Sequence, residues 1–302
     1  MIFEKKNDSW LQKPLTAILP KFSIETVIMA IILLLALFSR FYILGERVMS
    51  HDEINHVVPS WELATGQGYK HNPVTHGPFQ FHAVAFTYFL FGDNDFTSRV
   101  PAALFSIAAI ALVLFGFKRY LGKYGHLIAG FMLLISPYML FYGRYTRNEG
   151  FIEFIAVLLI YATFRYLDRG DLISLVLLTI AHALNFTVKE TAYIYMAILL
   201  LFLAFQFLSE VIHEEWQSTR HRNLFIIFTL VTVVLIIGGI LLGYINAKLN
   251  PTNETGELIS QSTHNLGLFS SLTVLLAIIF GMVTVIFLVK GIGLDAIRHL
   301  RS

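Results

Sequence analysis

Apolar residues in this chain gather into long blocks instead of alternating. Eight blocks reach the roughly 17–25 residues that a bilayer span needs: Ile24–Leu44, Val100–Phe117, Gly125–Tyr142, Phe151–Leu167, Leu172–Val188, Thr191–Leu208, Leu224–Tyr244 and Leu268–Val289. The pattern predicts an all-α integral membrane protein with about eight transmembrane helices. Alternate connections are basic, carrying Lys5, Lys6, Lys13 and Lys21; Lys118, Arg119 and Lys123; Arg165 and Arg169; Arg220 and Arg222; and Lys290, Arg298 and Arg301. The positive-inside rule assigns these connections, and with them both termini, to the cytoplasm. The connections Gly45–Arg99, Tyr145–Gly150, Lys189–Glu190 and Asn246–Gly267 then face outward. Within the first of these lies FQFHAVAFTYFLF, Phe79–Phe91, which follows a proline and is too short to span. It predicts a juxtamembrane helix in the first outer loop.

Composition narrows the class. Of 302 residues, 56% are hydrophobic and only 14% charged, against about 25% charged in a soluble domain. Mean hydropathy is +0.67. A net charge of +2 does not call for a nucleic-acid partner, and the basic residues serve as topology markers. Cysteine is absent, which excludes disulfides, thiolate catalysis and zinc–thiolate sites. The first apolar block starts after some twenty residues and is long enough to span, so it reads as a retained anchor and not a cleaved signal. No repeat, low-complexity tract or soluble domain stands out.

Four clusters of titratable groups fall on the outward connections. VMSHDEINH, Val48–His56, places Asp52 and Glu53 just beyond the first block. Ser50 with Glu53 fits a capping box, in which both side chains satisfy backbone amides at a helix start, and Asp52 suits the positive end of the helix dipole. YGRYTRNEG, Tyr142–Gly150, holds Arg144, Arg147 and Glu149 in a short connection, although an arginine at a span end also snorkels to head groups. The turn VKET carries Lys189 and Glu190 between two apolar blocks, where charge marks either a functional cavity or a pair solvated among head groups. YKHNPVTHGP adds Lys70, His71 and His76. His51, His56, His71, His76 and His82 all fall in or beside this first outer loop, without the helical spacing of a metal-ligand pair. Together, cations that hold a phosphate and carboxylates that accept a proton are the groups needed to process a lipid-linked phosphate at the membrane surface.

The order of these motifs resembles the GT-C membrane glycosyltransferases. The resemblance runs from the first block through the Asp-Glu pair, the Gly-Pro entry to a helical loop, LFGDNDFTSRVPAALFS (Leu90–Ser106), YGRYTRNEG and the later lysine turn. It is strongest to the branch of protein O-mannosyltransferases and lipid A aminoarabinose transferases, the glycosyltransferase family 39-like group. It implies a polyprenyl-phosphate-linked sugar as donor, a lipid, glycan or protein acceptor outside the cytoplasm, and an active site on the extracytoplasmic face of the plasma membrane. Asp52 matches the family's first-loop catalytic acid and Glu53 its companion. Where the family has Arg and then Arg-Pro-Asp, this chain has Arg144 and then Arg147, Asn148 and Glu149. Where the family often has Lys-Pro-Pro, it has His76, Gly77 and Pro78, which shifts the expected phosphate contact onto Lys189, Arg144 or Lys70.

The implied organisation is a cytoplasmic tail over residues 1–23, a GT-C-like catalytic membrane core over 24–209 that includes the outer loop 45–99, and additional helices over 210–302, shorter than the corresponding part of relatives. The implied reaction is one inverting displacement, with Asp52 and Glu53 as the catalytic acids. The donor and its phosphate would meet Arg144, Arg147, Glu149, Lys189, Glu190, His76 and Lys70. No cofactor is required by the motifs, and a divalent metal stays open. An ion-coupled transporter, a flippase for lipid-linked sugars or an accessory membrane protein remains the alternative, because intramembrane acids serve ion relays too.

Overall fold

The computed structural model describes residues 23–70, 75–250 and 266–300, and every regular element among them is a helix. The chain divides near residue 200 into two compact units.

In the first unit, α1 (Ile24–Phe41) opens on Ser23, whose hydroxyl accepts the Thr26 amide at 3.1 Å. It is followed by α2 (His51–Ala64), α3 (Phe79–Phe91), α4 (Asp95–Gly116), α5 (Lys118–Ile135), α6 (Pro137–Tyr142), α7 (Glu149–Arg169) and α8 (Leu172–Val188). The helix α9 (Ala192–His213) begins here and runs across the division. The capping box expected at Ser50 and Glu53 is formed at the start of α2. The juxtamembrane helix expected over Phe79–Phe91 is α3.

The helix α4 is the hub, packing on α1, α3, α5 and α7. Lipid tails are as apolar as leucine, so helices associate in a bilayer through close packing, and small residues permit it. Ala102, Ala103, Ser106 and Ala109 of α4 are accordingly buried. Ile110 and Leu114 pack with Ile32, Ala36 and Leu134 of α1 and α5. On its other side Phe105 meets Phe151 edge-on at 5.0 Å, and both meet Phe79 of α3. Pro101 interrupts the hydrogen-bond ladder of α4. The Thr97 carbonyl, four residues earlier, accepts instead from the Thr87 hydroxyl of α3 at 3.1 Å, which satisfies a backbone group that lipid could not.

Among the described residues, six helices are long and apolar enough to cross a membrane: α1, α4, α7, α9 and, in the second unit, α10 (Thr219–Leu249) and α11 (Leu266–Ile292). The other two of the about eight expected spans are present as a broken and a shorter apolar helix. The third predicted span, residues 125–142, is split between α5 and α6 at Ser136, which adopts φ −57° and ψ 120°, because a residue before proline is driven out of the helical region. The fifth predicted span is α8, with 17 residues.

Ion pairs nevertheless sort the first unit into two ends. Lys118 meets Glu25 at 2.6 Å and Arg119 meets Asp168 at 2.7 Å. These pairs tie the start of α1, the α4–α5 junction and the end of α7 together. Asp52, Glu53, Arg147 and Lys189 are joined to other partners at the opposite ends of these helices. The short α8 starts at Asp171, paired with Arg165 of α7, and finishes at Lys189, paired with Glu149 at the other end of α7. It therefore runs the full length of its longer neighbour.

In the second unit, α10 and α11 form a long pair, and α12 (Leu294–His299) follows. Gly239 and Gly243 bring α10 against Ser270 and Thr273 of α11, and the Ser270 hydroxyl donates to the Gly239 carbonyl at 2.8 Å. Val211, Phe225, Leu288 and Ile292 make its buried cluster.

Candidate active site

The predicted site residues enter the structure from four separate segments. Asp52 lies in the first turn of α2, where the helix dipole favours a carboxylate, and its side chain is about half exposed. One of its oxygens accepts from Arg147 Nη1 at 2.8 Å. Arg147 Nε stands 3.4 Å from Glu149 Oε2, and Glu149 Oε1 accepts from Lys189 Nζ at 2.8 Å. A continuous ionic chain thus joins Asp52, Arg147, Glu149 and Lys189 across α2, the turn 143–148, the start of α7 and the end of α8.

The fourth cluster joins the same end. His76 Nδ1 lies 2.6 Å from Glu190 Oε2, next in sequence to Lys189. Burial pushes the Glu190 carboxyl upward, but its own backbone amide and His76 hold it below the usual glutamate range. His76 has φ 70°, a conformation that costs a residue with a side chain. The next residue must be glycine here. The Gly77 amide donates to the Val188 carbonyl at 3.1 Å, and a Cβ on Gly77 would run into the Thr187 carbonyl. The entry to α3 is thereby clipped onto the end of α8. Lys70 is exposed at the edge of the described residues, and His71 lies outside them. His51 is exposed, and His82 bonds the Pro78 carbonyl.

Glu53 points inward instead of into the ionic chain. It is fully buried and accepts from Arg99 Nε at 2.8 Å, Arg99 Nη2 at 3.1 Å and Arg47 Nη2 at 2.9 Å, and from the amides of Thr146 and Ser50 at 3.2 Å each. Burial alone would raise this carboxyl, but the Arg99 guanidinium and the two amides hold it below the usual range. The carboxylate therefore bolts α2 to α4 and to the turn that carries Arg147. Arg144, from the same turn, reaches the opposite way. Its Nη1 and Nη2 donate to the carbonyls of Ser39 and Tyr42, at 2.6 and 2.8 Å, at the end of α1.

Sequence reasoning did not single out Arg99, Arg47 or Tyr145, and it took His56 only as one of five histidines in or beside the first outer loop. The Tyr145 hydroxyl bonds Ser50. His56 sits one helical turn beyond Asp52, on the same face, and is 4% exposed. Its Nδ1 has no hydrogen-bond partner among the described residues. Burial, aided by Arg147, pushes its pKa down to about 4, so the imidazole is neutral at physiological pH. The i, i+4 spacing from Asp52 was the one signal that could have found it. Arg99 lies in a helix 46 residues from Glu53, and no local pattern announces such a pairing.

Among the described residues no three His, Asp or Glu side chains gather as a metal site. What the chain of ions offers is an exposed base, a guanidinium and an ammonium within one network. A family model described as dolichyl-phosphate-mannose-protein mannosyltransferase matches residues 75–237, more than half of the chain. No curated protein and no solved structure matches it.

Proposed function

The chain belongs to the dolichyl-phosphate-mannose-protein mannosyltransferase family, a family of membrane glycosyltransferases that draw on a lipid-phosphate-linked sugar, and from that premise we propose how its own residues carry the transfer. Asp52 takes the proton from an acceptor hydroxyl or amine as that atom bonds to the anomeric carbon. The bond from the anomeric carbon to the phosphate oxygen breaks, its electron pair leaves with the oxygen, and polyprenyl phosphate departs. The configuration inverts in this single displacement. Phosphate is already a good leaving group, so positioning and charge stabilisation dominate. Arg147 and Lys189 supply the charge, and Glu149 sets the distance between them. His76, held by Glu190, stands where relatives offer a lysine and adds a hydrogen bond to the donor. Glu53 is a positioning residue that fixes both the α2 start and the Arg147 turn.

The observation that carries this reading is the ionic chain itself, since an exposed carboxylate and two cations from distant segments meet at one end of the helices. The opposite end bears Lys118, Arg119, Lys123, Arg165 and Arg169, which supports a cytoplasmic position for that end and an extracytoplasmic active site. Asp52→Asn keeps volume and helix-start propensity but removes the base. Turnover of a polyprenyl-phosphate hexose by the purified chain should fall by about 10²–10⁴ with the fold intact. Arg147→Ala and Lys189→Ala should each weaken donor binding by about tenfold to a hundredfold. Full transfer by Asp52→Asn would remove Asp52 from the mechanism, and unchanged donor binding in both alanine variants would remove the phosphate site.

A further inference from the structure

A second cluster of positive charge lies on the other side of Glu53 and is not used by the transfer chemistry. Arg47, Arg99 and Arg144 converge there. Among the described residues, Glu53 is the only carboxylate paired with any of them, and Arg47 and Arg99 share it. Arg144 is met by the neutral carbonyls of Ser39 and Tyr42. Three guanidinium groups against one carboxylate leave a surplus of positive charge. The ionic chain at Asp52 differs, since Arg147 and Lys189 there are matched by Asp52 and Glu149, and Glu190 pairs with His76 beside them. Burial, Arg47 and Arg99 all lower the Arg144 pKa, as expected of like charges held close together.

Of the three, Arg47 and Arg144 open onto space, while Arg99 is buried behind them. A cavity of about 310 Å³ is lined by Arg47, Arg144, Leu44, Leu140 and Phe141. It is polar where the arginines stand and apolar elsewhere. Of its lining, Phe141 is half-exposed, and Tyr42 and Ile43, next in sequence to Leu44, are exposed as well, the composition of a membrane–water interface. The backbone is bent to build it. Ile43 has φ 46°, an outlier for a β-branched residue. That turn directs the Tyr42 carbonyl to Arg144 and the Leu44 carbonyl to Arg99, the latter at 2.8 Å. Arg47 is further fixed over the Tyr145 ring, 4.8 Å from its centroid.

We propose that Arg47 and Arg144 form a second anion site that takes the phosphate of a membrane lipid, whose first carbons rest on Leu44, Leu140 and Phe141. Guanidinium forks match phosphate oxygens, and the half-apolar cavity selects a phosphate that carries a chain over a free one. The site stands whether or not Asp52 is the catalytic base, so the two readings fail separately.

The test uses the full chain in detergent, stripped of lipid, with farnesyl phosphate, farnesol, dihexanoyl phosphatidate and inorganic phosphate as probes in calorimetric titrations. At least one lipid phosphate should bind about tenfold or more tighter than farnesol, and tighter than inorganic phosphate. Arg144→Gln should lose about tenfold or more of that affinity. So should Phe141→Glu, which changes a half-exposed side chain and covers the case in which Arg144→Gln weakens the end of α1. Lys189→Ala should retain this binding. Preference for farnesyl phosphate assigns the site to an isoprenoid phosphate and preference for phosphatidate to a glycerophospholipid, and either supports it. Equal binding of inorganic phosphate, unchanged affinity in both cavity variants, or loss in Lys189→Ala alone would overturn it.

Discussion

Glu53 shows what one buried charge does for the whole arrangement. With five hydrogen bonds reaching it from Arg99, Arg47, Thr146 and Ser50, it is a buried ion whose partners are complete. Removing the charge leaves Arg99, itself fully buried, without its counter-ion. Glu53→Gln should therefore cost about 3–5 kcal/mol of stability, read as a lower melting temperature in detergent. The pH dependence has a definite sign. A carboxyl held below its unfolded value contributes fully at neutral pH and loses that contribution as pH falls through its folded value. His56 acts in the same direction and earlier, because its imidazole stays neutral in the fold down to about pH 4 while the unfolded chain takes up a proton near 6.5. Melting temperature should thus decline from about pH 6.5 downward, and His56→Gln should flatten the first part of that decline.

At the level of elements, the turn after α6 decides where the cations go. Gly143 packs on α4 so closely that a Cβ there would lie 2.6 Å from the Ser106 Cβ and 2.8 Å from the Met139 carbonyl. Neither neighbour has room to yield, since Ser106 also meets Arg40 of α1. Gly143→Ala should destabilise the protein by about 1–3 kcal/mol and displace the Arg144–Arg147 segment that follows. Gly238→Ala, in a helix with nothing within 4 Å, should be neutral or slightly stabilising. Thermal melts of the two variants side by side check the contrast. The elements most legible in the sequence were those set by local signals, namely the capping box at Ser50 and the α3 segment after Pro78. The break at Ser136–Pro137 also carries a local signal, which the continuous apolar run 125–142 concealed. The separate outward clusters could be read as one basin because all four fall on the outward connections and those at 145–150 and 189–190 are too short to leave the bilayer surface. Which acid would be buried and which exposed could not be read, because Asp52 and Glu53 are neighbours and only Arg99, far along the chain, distinguishes them.

At the level of the molecule, the question is how the helices lie in the bilayer. The two polar ends of the first unit require α5–α6 and α8 to cover the same distance as α4 and α7. Val48 and Lys123 should then lie on opposite sides of the membrane. The chain has no cysteine, so Val48→Cys and Lys123→Cys, each at an exposed position, give clean labelling sites. An impermeant maleimide added to oriented vesicles should reach one and spare the other. Labelling of both from one side would refute the end-to-end arrangement and the extracytoplasmic site with it.

The ionic chain from residue 52 to residue 189 also bears on how the protein matures. It unites segments from nearly the first and the last helices of its unit, and such distant partners meet only after the intervening loops have closed, a cost that local contacts do not carry. The Asp52–Arg147 and Glu149–Lys189 pairs therefore form only when α2 and α8 have docked on the start of α7. If these residues carry the transfer as proposed, a chain in which α8 has not yet docked holds no assembled centre, and activity should appear only once α2, α7 and α8 have come together.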